Sequence, residues 1–262
     1  MSEPSRFDVR RLVGRARRIV GDSTVAATDP SVISTLDDRE RARLERCLPF
    51  TMAAPERIVA TMDSVAHVVR RDVGGALVEC GVWRGGSVLA MILTLQDLGV
   101  DDREIFLFDT FSGMTEPTEA DTSGFDVSAV QAFAQARSAG QRAWHHLFGP
   151  EAFGRAQVEA LLETTGYPLE RIHLVEGAVE DTIPDRAPDH LALLRLDTDF
   201  YESTKHEMTH LYPRLALGGV LLIDDYGHWD GARRAVDEHF AATGAPLLLS
   251  RTDYTGRLAI KH

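Results

Sequence analysis

Short apolar runs alternate with longer segments of helical period along most of this chain. Ala76 to Cys80, Ile105 to Asp109, Ile172 to Val175, Leu191 to Leu196 and Val220 to Ile223 read as buried strands bounded by turn residues or charge. Residues 88–98, 153–164, 203–215 and 231–243 fit helices between them. An earlier helix over 55–71 places Ile58, Val59, Met62, Val65, Ala66 and Val69 at helical spacing, and Gly74-Gly75 then break the chain. Two weaker runs, Pro246 to Leu249 and Arg257 to Ile260, predict an antiparallel edge pair. Strands alternating with helices mean parallel βαβ units, so the expected fold is α/β: a mostly parallel, Rossmann-like sheet of seven strands with helices on both faces.

The alternation fails between Thr110 and Gly154, where more than forty residues carry Gly113, Pro117, Gly124, Gly140, Gly149 and Pro150. Loops of this length are uncommon unless they are functional or mobile. The segment, about 112–154, is expected to form a lid over the site, with a short helix near 127–137; an interaction surface is the other reading. Residues 1–48 are charged and mostly polar, with helical patterns at 9–19 and 37–47, and read as an N-terminal helical arm ahead of a catalytic domain over 49–262. Arg10, Arg11, Arg15, Arg17 and Arg18 form a basic cluster there, suited to a solvated helix face or a docking arm against a partner subunit more than to an anion.

Composition narrows the class. The 262 residues fit one α/β domain with an extension. A net charge of −12, from 40 acidic against 28 basic residues, argues against nucleic acid or an anionic membrane as partner. Cys47 and Cys80 are too few for a disulfide framework or a tetrahedral zinc site. No apolar run approaches the roughly 20 residues that span a bilayer, and no signal-peptide core opens the chain. A cytoplasmic protein is expected.

The candidate chemistry sits where two apolar runs end in carboxylates: Asp197 with Asp199 nearby, then Asp224 with Asp225. A buried strand tolerates an unpaired charge poorly, and ligands of open α/β sheets bind at the carboxyl ends of strands. Hard oxygen donors converging there suggest a divalent cation such as Mg²⁺. Gly81, Gly85 and Gly86 follow the first strand and open a helix, so backbone can approach a ligand closely. Their spacing is not the dinucleotide fingerprint, which counts against an oxidoreductase. Glu79 near the end of the first strand and Asp109 at the end of the second favour a cationic, ribose-bearing ligand over a pyrophosphate; S-adenosylmethionine has that description. Ser87, at the helix N-terminus, and Thr51 are candidates for the ligand carboxylate, and Trp83 reads as a packing residue.

The runs Phe50 to Arg57, Val78 to Ser87, Phe108 to Met114, Leu194 to Thr204 and Gly218 to Gly227 resemble the macrocin O-methyltransferase family over roughly residues 45–262. The resemblance implies a class I methyltransferase fold, S-adenosylmethionine, a divalent metal and a glycosylated natural-product acceptor, methylated on a deoxysugar hydroxyl. It also suggests a homodimer or larger homo-oligomer. It implies Asp197, Asp224 and Asp225 as metal ligands; Asp199 is the first candidate base, Asp197 a possible ligand and base together, and His228 a second-tier base or substrate contact. Glu79 and Gly81 are expected at the methionine tail, Asp109 at the ribose with Phe111 and Ser112 beside it, and Gly177, Ala178 and Glu180 at the adenine. A more distant likeness to catechol O-methyltransferases is weakened at position 200, where Phe replaces the lysine base. A phenol methyltransferase or a non-catalytic S-adenosylmethionine-binding protein are the alternatives. Asp199 also suits a helix cap, His228 an ordinary loop histidine, and Gly177-Ala178 a plain turn.

Overall fold

A computed structural model describes residues 32–149 and 153–262, so the arginine cluster at 10–18 and the helix expected at 9–19 lie outside the described residues. The strands are β1 (Ala76–Cys80), β2 (Ile105–Asp109), β3 (Ile172–Glu176), β4 (Leu191–Leu196), β5 (Leu215–Ile223), β6 (Ser250–Arg251) and β7 (Arg257–Ile260). They form one sheet in the order β3-β2-β1-β4-β5-β7-β6. The first five pair in parallel, whereas β7 runs antiparallel to both β5 and β6. The order reverses at β1, between β2 and β4, which is where an open α/β sheet leaves its ligand crevice. All residues of β1 and β4 are buried, as expected of central strands covered on both faces.

The helices are α1 (Asp38–Cys47), α2 (Pro55–Arg70), α3 (Gly86–Asp97), α4 (Ala129–Ser138), α5 (His145–Phe148), α6 (Arg155–Glu163), α7 (Val179–Thr182), α8 (Tyr201–His210) and α9 (Asp230–Thr243). Asp37 begins α1 with a reciprocal capping box through Glu40. Leu44 and Cys47 of α1 are buried against Ile58, Met62 and Leu89, so this helix shares a core with α2 and α3. One face of the sheet carries Leu77, Ile105, Leu107 and Leu193 with α3 and α6; the other carries Val78, Phe108, Leu194 and Ile223 with α8 and α9.

Three expectations change. The helix foreseen over 203–215 spans Tyr201–His210, because Pro213 cannot continue it; a 3₁₀ turn follows, and Leu215 already pairs with Leu191 in β5. The run Pro246 to Leu249 is not a strand: Leu247 and Leu249 pack on the core, and β7 pairs instead with Ser250 and Arg251. The short helices α5 and α7, four residues each, carry too little periodicity to be read from sequence.

The long insertion is tied to the start of α8 by one buried carboxylate. Asp121, 2% exposed, accepts from Thr118 N and Oγ1, and from Tyr201 N at 2.6 Å, the first residue of α8. Helix α8 has no cap from its own flank, so a residue eighty positions upstream satisfies its N-terminus. Thr122 continues the junction, its carbonyl accepting from Asp230 N and its hydroxyl donating to Asp230 Oδ2. Asp121→Ala should therefore lower stability by about 1–3 kcal/mol and Tm by several degrees, with Asp121→Asn milder. Thermal unfolding checks this; an unchanged Tm in the alanine variant would show that the junction is held elsewhere.

Candidate active site

Strand β4 breaks its apolar pattern once, at Arg195, and that residue organises the site. Arg195 is 1% exposed. It donates to Glu79 Oε1 at 2.6 Å on β1, to Asp197 Oδ2 at 2.5 Å and to Asp224 Oδ1. Arg57, from α2, donates to the other oxygen of Asp224, and its Nε lies 3.1 Å from Asp253. Burial disfavours charge on Arg195, but Asp197, Asp224 and Glu79 overcome this and hold it protonated. Neither arginine was singled out as functional from the sequence; the signal was the lone charge in Leu194-Arg-Leu196, which a fully buried strand cannot hold without partners.

Asp197, Asp224 and Asp225 converge: one carboxylate oxygen from each lies within 4.8 Å of the others. Asp225 Oδ2 is buried without a hydrogen-bond partner among the described residues. Asp199 borders this trio, its carboxyl meeting that of Asp225. It takes a left-handed backbone conformation, φ 68°, tolerated best by Asn and Asp among non-glycine residues. Its Oδ1 accepts from Trp229 Nε1 at 2.8 Å. Asp199 is therefore not the cap of α8; Phe200 holds that position and Asp121 supplies the acceptor. Burial raises the pKa of Asp199, with the charge of Asp197 adding to it, and burial with the charge of Asp199 raises that of Asp225 further. Asp197 is raised by burial, opposed by Arg195. Glu79 is pushed up to about 8 by burial, again opposed by Arg195. Counted together, Glu79, Asp197, Asp199, Asp224, Asp225 and Asp253 set six carboxyls against two guanidinium groups.

The glycine turn abuts this cluster. A Cβ on Gly81, whose φ is 82°, would lie 1.9 Å from the carbonyl oxygen of Asp197, so only glycine lets the ends of β1 and β4 meet. A Cβ on Gly86 would lie 2.7 Å from Thr51 Cβ, which brings Thr51 onto the turn at the start of α3, beside Ser87. Asp109 pins the turn: its Oδ2 accepts from Val82 N at 2.6 Å and Trp83 N at 3.1 Å, and its Oδ1 from Phe111 N at 2.7 Å. Gly177 N donates to the carbonyl of Asp109, placing Gly177 and Ala178 beside the end of β2, with Glu180 exposed on α7.

Two expected residues sit differently from their sequence reading. The ring of Phe111 is packed in the core with Val82, Val88 and Val158, leaving the exposed Ser112 as the accessible member of that pair. Glu79 points inward onto Arg195, with Oε2 buried and unpartnered among the described residues. His228 shares Nδ1 with the Tyr254 hydroxyl at 3.0 Å, and burial lowers its pKa, so it is neutral at pH 7. Trp83 donates Nε1 to the carbonyl of Leu147 and so fastens the insertion, the packing role its sequence suggested.

With this geometry in place, similarity to known proteins becomes decisive. The sequence profile of the macrocin-O-methyltransferase (TylF) family matches residues 18–259. The chain belongs to this family. Among curated relatives, the 8-demethyl-8-(2,3-dimethoxy-α-L-rhamnosyl)-tetracenomycin-C 4′-O-methyltransferase of Streptomyces olivaceus is 34% identical over 206 residues, 79% of this chain and 73% of its own. The demethyldecarbamoylnovobiocin O-methyltransferase of Streptomyces niveus is 33% identical over 191 residues, 73% and 68% of the two chains. The solved O-methyltransferase NovP superposes with a TM-score of 0.67 at 26% identity, covering 97% of this chain and 99% of its own. As a member of the macrocin-O-methyltransferase family, the chain is an S-adenosylmethionine-dependent O-methyltransferase of class I fold. Among the described residues no helix is long and apolar enough to cross a membrane.

The raised carboxyls fix a pH dependence. Glu79 titrates near 8 in the folded chain against 4.5 ordinarily, so between those values the folded state binds more protons than the unfolded one. Stability must then fall as pH rises through that window, and Asp197, Asp199 and Asp225, shifted the same way, add to the slope. Thermal unfolding in EDTA should show Tm dropping by several degrees from pH 5.5 to 8; a flat or rising Tm would mean that the cluster is ionised and compensated throughout.

Proposed function

We propose that the chain methylates a hydroxyl of a deoxysugar carried on an antibiotic-type natural product, using a divalent cation, Mg²⁺ foremost, held by Asp197, Asp224 and Asp225. The observation that carries the cation is the unpartnered, buried Asp225 Oδ2 among three converging carboxylates. Asp224 already meets two arginines, but each carboxylate oxygen has a further lone pair to offer. A bound cation would supply Lewis acidity, lowering the pKa of a coordinated sugar hydroxyl. The sugar acceptor is supported by the relatives, whose names specify methylation of rhamnosyl-tetracenomycin and demethyldecarbamoylnovobiocin.

The remaining roles fall to the chain itself. Asp199 accepts the hydroxyl proton: Trp229 orients its carboxyl through Oδ1, and a cation on the neighbouring aspartates would favour the ionised form a base requires. His228, neutral at pH 7, is the second candidate for that proton and otherwise contacts the acceptor. The cofactor lies over the glycine turn, with the free oxygen of Glu79 and the backbone of Gly81 toward its amino group, Ser87 and Thr51 toward its carboxylate, and Asp109 and Ser112 toward the ribose. Gly177, Ala178 and Glu180 border the adenine. The contact of Gly81 with Asp197 brings the methyl donor against the acceptor site, as in-line displacement requires.

Calorimetric titration of S-adenosylmethionine, paired with methyl-transfer assays on rhamnosylated aromatic acceptors, tests the proposal. EDTA should abolish transfer and Mg²⁺ restore it. Asp197→Asn should lower turnover at least about a hundredfold while holding cofactor affinity within about threefold. Transfer indifferent to EDTA would remove the metal, and loss of cofactor binding in Asp197→Asn would reassign that residue.

A further inference from the structure

An aromatic series leads from the proposed base to solvent. Trp229, bonded to Asp199, packs edge-on against Phe200 at 5.5 Å on one side and against His228 at 5.2 Å on the other. His228 in turn stacks on Phe125, 5.7 Å between centroids and 21° between planes. Tyr254 closes the outer end, 5.4 Å from Phe125 at 70°. These residues come from four separate segments: the insertion, the turn after β4, the turn after β5 and the turn between β6 and β7. Phe125 and Tyr254 nonetheless remain 47% and 55% exposed. Tyr254 is fixed to the carboxylate cluster through its neighbour Thr255, whose hydroxyl donates to the carbonyl of Asp224 at 2.7 Å.

Two exposed aromatic walls near a right angle make a corner for a flat ring, one wall offering a face and the other an edge. On the reading that the site methylates a sugar, we infer that Phe125 and Tyr254 form the subsite for a planar, apolar aglycone, so that the acceptor is an aryl glycoside and neither a free nor a nucleotide-activated sugar. With the sugar hydroxyl at Asp199, the group attached to the sugar extends along the series toward this corner. A nucleoside diphosphate sugar would bring two phosphate charges toward a cluster of six carboxyls whose two arginines are already paired. An aryl group carries no such charge. Phe125 and Tyr254 thus determine specificity without touching the reacting atoms.

The test compares kcat/KM for 2-naphthyl α-L-rhamnoside, methyl α-L-rhamnoside and dTDP-L-rhamnose, in the wild-type chain with Mg²⁺ and in Phe125→Ala and Tyr254→Ala. The naphthyl glycoside should be preferred over the methyl glycoside by at least about tenfold, with dTDP-L-rhamnose the poorest of the three. Each alanine variant should reduce the naphthyl-to-methyl ratio severalfold, mainly through KM, with S-adenosylmethionine affinity measured calorimetrically as the folding control. Equal use of the naphthyl and methyl glycosides, a ratio unmoved in both variants, or a preference for dTDP-L-rhamnose would overturn the aglycone subsite while leaving sugar methylation standing. Transfer to none of the three would overturn the sugar reading and this subsite with it.

Discussion

A single buried guanidinium holds the site together. Arg195 is the only charged residue of β4, and its donors reach carboxylates at the ends of β1, β4 and β5. Taking one cation and three anions out of water is costly, and mutual pairing recovers that cost only when every partner is present. The arrangement is therefore all or nothing: removing Arg195 would leave Glu79, Asp197 and Asp224 to repel one another, two of them buried. Even with Arg57 added, carboxyls outnumber guanidinium groups, and the excess settles as raised pKa values on Glu79, Asp197, Asp199 and Asp225. A dication would relieve that excess, and this electrostatic surplus is what supports the proposed cation.

Fold and site are coupled through contacts that leave no room for variation. Gly81 lets β1 touch Asp197, Asp109 clamps the glycine turn to β2, and the left-handed conformation of Asp199 turns its carboxyl toward Trp229. The insertion is built into this frame and is not merely laid over it. Asp121 caps α8, Thr122 meets the start of α9, Trp83 holds Leu147, and Phe125 stacks on His228. The helices that follow Asp199 and Asp225 thus depend on the same segment that carries Phe125.

Much of this was legible in the sequence where a local pattern carried the information. The strands β1 and β2 matched their expected bounds because each is a short apolar run with a carboxylate or glycine at its end. Asp197, Asp224 and Asp225 stood out for the same reason. Pro246 to Leu249 misled because apolar residues that pack on a core from a coil look like a strand; only the pairing of β7 with Ser250 and Arg251 distinguishes them. Phe111 misled because its motif neighbour Ser112 is exposed while its own ring turns into the core. Asp121, Arg57 and Trp229 act across 80, 167 and 30 positions of sequence, and no local pattern reports such pairings. The aromatic corner is likewise assembled from three loops that only the fold brings together.

A surplus of carboxyl groups at the ends of β1, β4 and β5 is poised for a divalent cation on the reading proposed above. Calorimetric titration of Mg²⁺ into the metal-free chain at pH 7, repeated in buffers of different ionisation enthalpy, tests it most directly. One cation should bind per chain with net release of protons, both weakened in Asp225→Asn. Binding without proton release, or no binding in the wild-type chain, would contradict it.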